Sequence, residues 1–267
     1  MDSYIQGLLA ILALGLLTWI VSVKKQDVSI VDSIWSLMFL VATIVYLINS
    51  DFTLQQIILL TLVTVWALRL SIYITWRNHG KPEDHRYQDI RRRYSPNFEI
   101  KSLFIIFIFQ ALLAWIISLP LWYVFSNSST IELITVIGAA LWLIGMVFEV
   151  VGDAQLVRFR NAGEDTQTQV LDRGLWRYTR HPNYFGEACI WWGYYLFALS
   201  AGGWWTIVAP LWMTWLLLKF SGVALLEKDI SNRRPAYREY IKNTSAFFPL
   251  PPRKTKVVDP VNEEVVQ

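Results

Sequence analysis

Five acidic side chains, Asp32, Glu149, Asp153, Glu187 and Glu227, fall inside or at the ends of long apolar stretches. The three histidines, His79, His85 and His181, fall in the polar segments between those stretches. A charge in hydrocarbon costs about 2.5–3.5 kcal/mol near the centre of a span, so such groups need partners or water. Glu149 and Asp153 stand at i and i+4, on one face of a helix. The segment 174–187, GLWRYTRHPNYFGE, gathers Arg177, Tyr178, Arg180, His181, Asn183 and Tyr184 around a proline, with Glu187 opening the next apolar stretch. Free N–H groups at a helix start favour phosphate, and arginines add a bidentate grip. Arg158 and Arg160 lie upstream, and Arg233 and Arg234 downstream. This set suits a nucleotide-type ligand. There is no G-x-G-x-x-G and no alternating strand pattern, so a soluble dinucleotide-binding fold does not fit. The histidines show neither H-x-x-x-H nor H-x-x-E-H spacing, which speaks against zinc.

The elements that must position these groups are membrane helices. Apolar runs at 4–23, 28–48, 55–76, 101–125, 131–152, 184–201 and 204–226 are near the length of about 20 residues that crosses a bilayer. The connections 49–54, 126–130 and 202–203 hold no Lys or Arg, whereas 24–27, 77–100, 153–183 and the tail from 227 hold nearly all of them. Only Arg69 and Lys219 lie inside runs, with Lys101 at the first position of another. The positive-inside rule then predicts an all-α protein of about seven transmembrane helices, N-terminus outside and C-terminus cytoplasmic. Composition agrees: 54% of the 267 residues are hydrophobic, with 14 Trp and 12 Tyr to populate interfaces, and the mean hydropathy is +0.36. The formal charge is only +3, but it is sorted to one face. That face would orient the chain and attract anionic headgroups, or hold an anionic cofactor. Nothing points to nucleic acid. Cys189 is the only cysteine, so no disulfide framework exists. The first run has no basic leader and reads as a retained helix. Residues 1–252 read as one membrane domain and 253–267 as a disordered tail. Gly138, Gly145 and Gly152 recur at seven-residue spacing and predict a close helix contact.

By this topology all five acids, Arg69 and the histidines come to the inner half of the membrane. They would form either a ring of interfacial salt bridges or a polar cavity open to the cytoplasm. The convergence of so many groups favours the cavity.

The stretches RYTRHPNYFGEACIWWGYYLFAL and GVALLEKDISNRRPAYREYIKNTSAFFPLPP, with VDSIWS at 31–36 and LRLSIYITWRNHGKPEDHRY at 68–87, carry a resemblance. The chain resembles the bacterial family of uncharacterised membrane proteins (DUF1295) grouped with the C-terminal domain of steroid 5-alpha reductases. The similarity runs through most of residues 28–252. It implies a seven-helix fold, NADPH bound on the cytoplasmic side, and reduction of a carbon–carbon double bond in a hydrophobic substrate drawn from the bilayer. Asn183 and Glu187 match the family's cofactor-contacting Asn and Glu. Asp153, Arg160 and Tyr178 match further cofactor positions, and Arg180, His181, Tyr184, Glu227 and Arg233 complete the expected set. Arg77, Asn78 and Lys81 match less closely. Asp32 lies near the acid that helps polarise the substrate carbonyl in steroid reductases. Their third-span tyrosine is absent, because VTVWALR puts Trp66 there. Tyr73, one turn beyond Arg69, reads either as the substitute that completes a catalytic set of Asp32, Arg69 and Tyr73 or as an interfacial aromatic. The R-H-P-x-Y-x-G motif also resembles membrane methyltransferases of the isoprenylcysteine and phospholipid type, which use S-adenosylmethionine. Their downstream Glu-Glu pair is Glu227–Lys228 here.

Overall fold

The computed structural model describes residues 2–127, 130–162, 169–220, 223, 227 and 235–253. Arg233 and residues 254–267 of the expected tail lie outside the described residues. The described chain is almost entirely helical: α1 Ser3–Lys25, α2 Ile30–Ile48, α3 Leu54–Asn78, α4 His85–Tyr94, α5 Phe98–Ile117, α6 Leu119–Ser126, α7 Leu133–Asn161, α8 Pro182–Ser200, α9 Val208–Trp215 and α10 Tyr237–Asn243. Among the described residues there is no β-strand, only a single bridge between Thr179 and Ser245.

Five of these helices, α1, α2, α3, α5 and α7, are long and apolar enough to cross a membrane. Their outward faces carry large apolar side chains, such as Leu9 at 51% and Leu17 at 62% exposure, which suit lipid and not water. The other two predicted spans are not among these five. Asn183, Glu187 and several tyrosines make α8 too polar for that group. Within the run at 204–226 the described residues form a 3-10 turn at Trp204–Ile207, then α9, continued by a π-helical stretch at Leu216–Phe220. The predicted span 101–125 is divided at Ser118, where Pro120 opens α6, because a proline supplies no N–H to continue the ladder. Conversely, α7 runs past residue 152 to Asn161, with Arg158 and Arg160 in its last turn opposing the helix dipole.

The chain forms two compact units. The first is Met1–Ile144 with Cys189–Thr214. Its core is aromatic: the ring of Trp191 meets Phe39, Trp66 and Tyr194 edge-on at 4.7, 5.7 and 5.4 Å. Polar groups inside it are satisfied internally, as a water-free medium demands. The buried Tyr46 hydroxyl pairs with Ser118 Oγ at 2.9 Å, and Trp142 Nε1 donates to the Tyr194 hydroxyl at 3.1 Å. Gln55, fully buried, donates to Ser200 Oγ at 2.7 Å. Its neighbour Gln56 donates to the Val124 carbonyl at 3.0 Å while closing a capping box with Thr53 at the start of α3.

The second unit is Gly145–Ala188 with Trp215–Gln267. Here α7 and the first turns of α8 come close because a glycine stands at each close approach. A Cβ on Gly186 would lie 2.5 Å from the Gly145 carbonyl oxygen, and one on Gly152 would lie 3.1 Å from Pro182 Cγ. The seven-residue glycine spacing does serve helix packing. Gly186→Val is expected to cost about 1–3 kcal/mol by overpacking, and Gly186→Ala less. Thermal unfolding in detergent measures this, and an unchanged midpoint for Gly186→Val would rule out so close an approach.

Candidate functional site

The groups singled out by sequence fall in two clusters, one in each unit. In the first unit Asp32 sits in the first turn of α2. One carboxylate oxygen accepts from Arg86 Nη2 at 2.8 Å, and the other accepts from the Tyr87 hydroxyl at 2.5 Å. Both partners come from α4, whose N-cap Asp84 also binds Arg86 Nε at 3.0 Å. Ser29, beside Asp32, receives this segment as well: its Oγ accepts from the Asp84 backbone N–H at 2.7 Å. Glu83 accepts from the Val28 N–H at 2.9 Å and forms a two-pronged pair with Arg91, whose guanidinium also lies over the Phe98 ring. The polar segment 83–94 is thus stitched onto the start of α2. Burial, and then the charge of Asp32, raises the pKa of Tyr87 well above its usual value, so its hydroxyl holds its proton. Arg69 and Tyr73 lie together on α3, the guanidinium 5.4 Å from the ring centre. Along the same helix Ser71, Ile72, Thr75, Trp76 and His79 line a cavity of about 320 Å³.

The second cluster is built on α7, the loop 174–181 and the start of α8. Glu149 and Asp153 are both buried on α7, and Glu187 is buried on α8. Arg160, at the end of α7, is exposed, as is Tyr178 on the loop. The loop is tied to α7 by Trp176 Nε1 donating to the Gly152 carbonyl at 3.0 Å and by the Leu175 N–H donating to Gln155 Oε1 at 3.0 Å. Gly174, at φ +61°, makes the turn that brings it there. Arg180 and His181 are buried and converge on Glu227. Arg180 donates from Nε and Nη2 to the two carboxylate oxygens at 2.7 and 2.8 Å, and His181 Nε2 lies 2.9 Å from one of them. The His181 ring stacks on Tyr184, 5.4 Å away and 9° from parallel. Asn183, half-buried, accepts the Tyr184 N–H at 3.0 Å. Burial alone would raise the Glu227 carboxyl, but the hydrogen bonds and charges of His181 and Arg180 outweigh it and hold the group at about 2.

Sequence reasoning did not single out Arg86 or Tyr87, and it used the segment 237–252 to carry the resemblance without placing it against the loop 174–181. The first two lie in a stretch that reads only as polar and mixed in charge, and the signal present was the Asp84 N-cap ahead of a basic helix.

Compared with known proteins, the family described as "Protein of unknown function (DUF1295)" matches residues 18–244. An uncharacterized protein of Schizosaccharomyces pombe is 28% identical over 282 residues, covering 93% of this chain and 80% of that one. The 3-oxo-5-alpha-steroid 4-dehydrogenase 1 of Bos taurus is 43% identical over 67 residues, and that of Homo sapiens 40% over 67. Each of these two alignments covers 25% of this chain and 26% of the dehydrogenase. No solved structure matches.

The electrostatics at Glu227 are testable without a ligand. Its folded-state pKa lies below the ordinary carboxyl value of 4.5, so its contribution to stability is complete above that pH and is lost as pH falls toward 2. Thermal unfolding followed from pH 7 to 2 is expected to show a steeper acid decline in the wild type than in Glu227→Gln. Parallel curves would mean that the carboxylate is not held as described.

Proposed function

The chain belongs to the DUF1295 family, and on that premise we propose that it is a membrane oxidoreductase that uses NADPH to reduce a carbon–carbon double bond in a hydrophobic, lipid-like or steroid-like substrate. The observation that carries this reading is the local identity to 3-oxo-5-alpha-steroid 4-dehydrogenases. The name of those proteins describes removing hydrogen beside a 3-oxo group. Run in reverse, that is reduction of a double bond conjugated to a ketone. We further propose seven spans with the cofactor side cytoplasmic, following the segregation of Lys and Arg.

The residues of the second cluster fit a dinucleotide by the chemistry of their donors. Arg158 and Arg160 on α7 and Arg173 and Arg177 on the loop are exposed cations suited to phosphate. Asp153, Asn183 and Glu187 supply the carboxylates and amide that suit ribose and carboxamide groups, and Tyr178, His181 and Tyr184 supply flat surfaces. When bound, NADPH supplies a hydride to an electron-poor carbon. The chain's own residues bind and orient it. Asp32, Arg69 and Tyr73 are assigned to the substrate side. As placed, Asp32 accepts from both Arg86 and Tyr87, and the proton between Asp32 and Tyr87 sits on the phenol. Polarising a carbonyl from Asp32 therefore requires that proton to cross to the carboxylate, or the phenol itself to turn toward the substrate.

Calorimetric titration of the detergent-solubilised protein with NADPH, NADH and S-adenosylmethionine tests the reading. Selective NADPH binding is expected, weakened by about 10-fold in Glu187→Gln and Asn183→Ala, as for loss of one charge-assisted contact. Binding of S-adenosylmethionine alone would replace this reading with the methyltransferase one. With an unsaturated substrate in hand, Asp32→Asn is expected to cut turnover by about 100-fold or more while leaving NADPH affinity within about 2-fold. A comparable loss of cofactor affinity would overturn the division of roles.

A further inference from the structure

Arg180 stands in a run of residues that suits phosphate, but its donors face inward. Nε and Nη2 go to both oxygens of Glu227, and Nη1 goes to the carbonyls of Ile241 (3.2 Å) and Thr244. Its backbone N–H goes to the Ser245 carbonyl at 2.9 Å. The side chain is 8% exposed, so an incoming phosphate would have to displace a carboxylate and two carbonyls. Three residues earlier, Arg177 is exposed. The two arginines of R-Y-T-R therefore have different work.

The C-terminal segment repeats the same clasp along the loop. Thr179 Oγ1 donates to the Phe247 carbonyl at 2.9 Å, and the Leu250 N–H donates to the Tyr178 carbonyl at 3.0 Å. The Tyr240 hydroxyl donates to the Trp176 carbonyl. Phe247 and Phe248 pack edge-on against Phe185 at 6.0 and 6.3 Å. One backbone group at each of Trp176, Tyr178 and Arg180 is thus held by residues 240–250. Immediately after this clasped stretch, Pro182 opens α8, and Asn183 and Glu187 follow in its first turns.

We propose that Arg180 and Glu227 are positioning residues that fasten the C-terminal segment Tyr237–Arg253 as a strap over the loop 174–181, and that this strap sets the placement of Asn183 and Glu187 for the dinucleotide. The inference rests on the NADPH reading above. It removes Arg180 and Glu227 from the ligand-contacting set. A guanidinium already bonded on three sides transmits position, not charge, to the site.

Hydrogen–deuterium exchange by mass spectrometry and NADPH titration are run side by side on the full-length protein in detergent. The wild type is compared with Arg180→Lys, which keeps the charge but loses the fork. In Arg180→Lys, exchange is expected to rise across 244–250 while α1–α3 stay protected, and the NADPH Kd of the folded protein is expected to rise about 10-fold, as for a small misplacement of ligand groups. Thr179→Val, which removes the hydroxyl bonds to the Phe247 and Ala246 carbonyls and from the His181 N–H, is expected to give a smaller change of the same two kinds and serves if Arg180→Lys does not fold. A loosened strap with unchanged Kd would make the clasp merely structural and overturn the inference. Weakened binding with a fully protected strap would also overturn it, by showing that Arg180 touches the dinucleotide directly. Failure of the underlying reading looks different, because the wild type itself would then bind no NADPH.

Discussion

A charge at the edge of hydrocarbon must have a partner, and that constraint places most of what is not a spanning helix in this protein. Asp32 at the start of α2 is held by Arg86 and Tyr87, and so the polar segment between α3 and α5 folds back as α4 instead of trailing into solvent. In the second unit Arg180 is held by Glu227 and by carbonyls of the C-terminal segment, and so that segment returns to the loop 174–181. Gln55 and Gln56 follow the same rule with neutral groups, spending their amides on Ser200 and on the Val124 carbonyl. Apolar length decides where the helices run. Unaffordable lone charges decide where the loops go.

What the sequence made legible follows from that division. The first three helices follow the apolar runs closely, since nothing but local composition sets them. The break at Ser118 was written in Pro120, but the surrounding residues are apolar and hide it from a hydropathy count. Glu149 and Asp153 were readable as one buried face because their spacing alone determines it. The partners of Asp32 and Arg180 were not readable. They lie 54 and 47 residues away along the chain, and no local pattern marks such a pairing. The strap was harder still, because much of its contact with the loop uses backbone carbonyls and N–H groups, which leave no trace in side-chain identity. For the same reason Arg180 looked like a phosphate ligand: its neighbours Tyr178, His181 and Asn183 advertise a polar site, while the groups that occupy its donors are remote or anonymous.

Arginine suits position 180 in a way lysine would not. Its planar fork reaches two carboxylate oxygens and two carbonyls at once, along fixed directions, whereas an ammonium offers three donors from one point. Such a buried pair adds little net stability, since desolvation offsets much of the attraction, but leaving one member alone would be costly. Its effect is therefore on geometry: the wrong arrangement of loop and strap is penalised more than the right one is rewarded.

The same saturation limits where a proton can come from. Glu227 is held at about 2, so it stays ionised across the physiological range and cannot serve as an acid near neutral pH. The pair formed by Tyr87 and Asp32 is of another kind, because a neutral hydroxyl with a raised pKa lies 2.5 Å from a carboxylate whose other oxygen is already neutralised by Arg86. Burial and the charge of Asp32 keep the proton of that bond on the Tyr87 phenol. On the reading proposed above, a proton would be handled at Asp32 and Tyr87, and Arg180 and Glu227 would hold the frame.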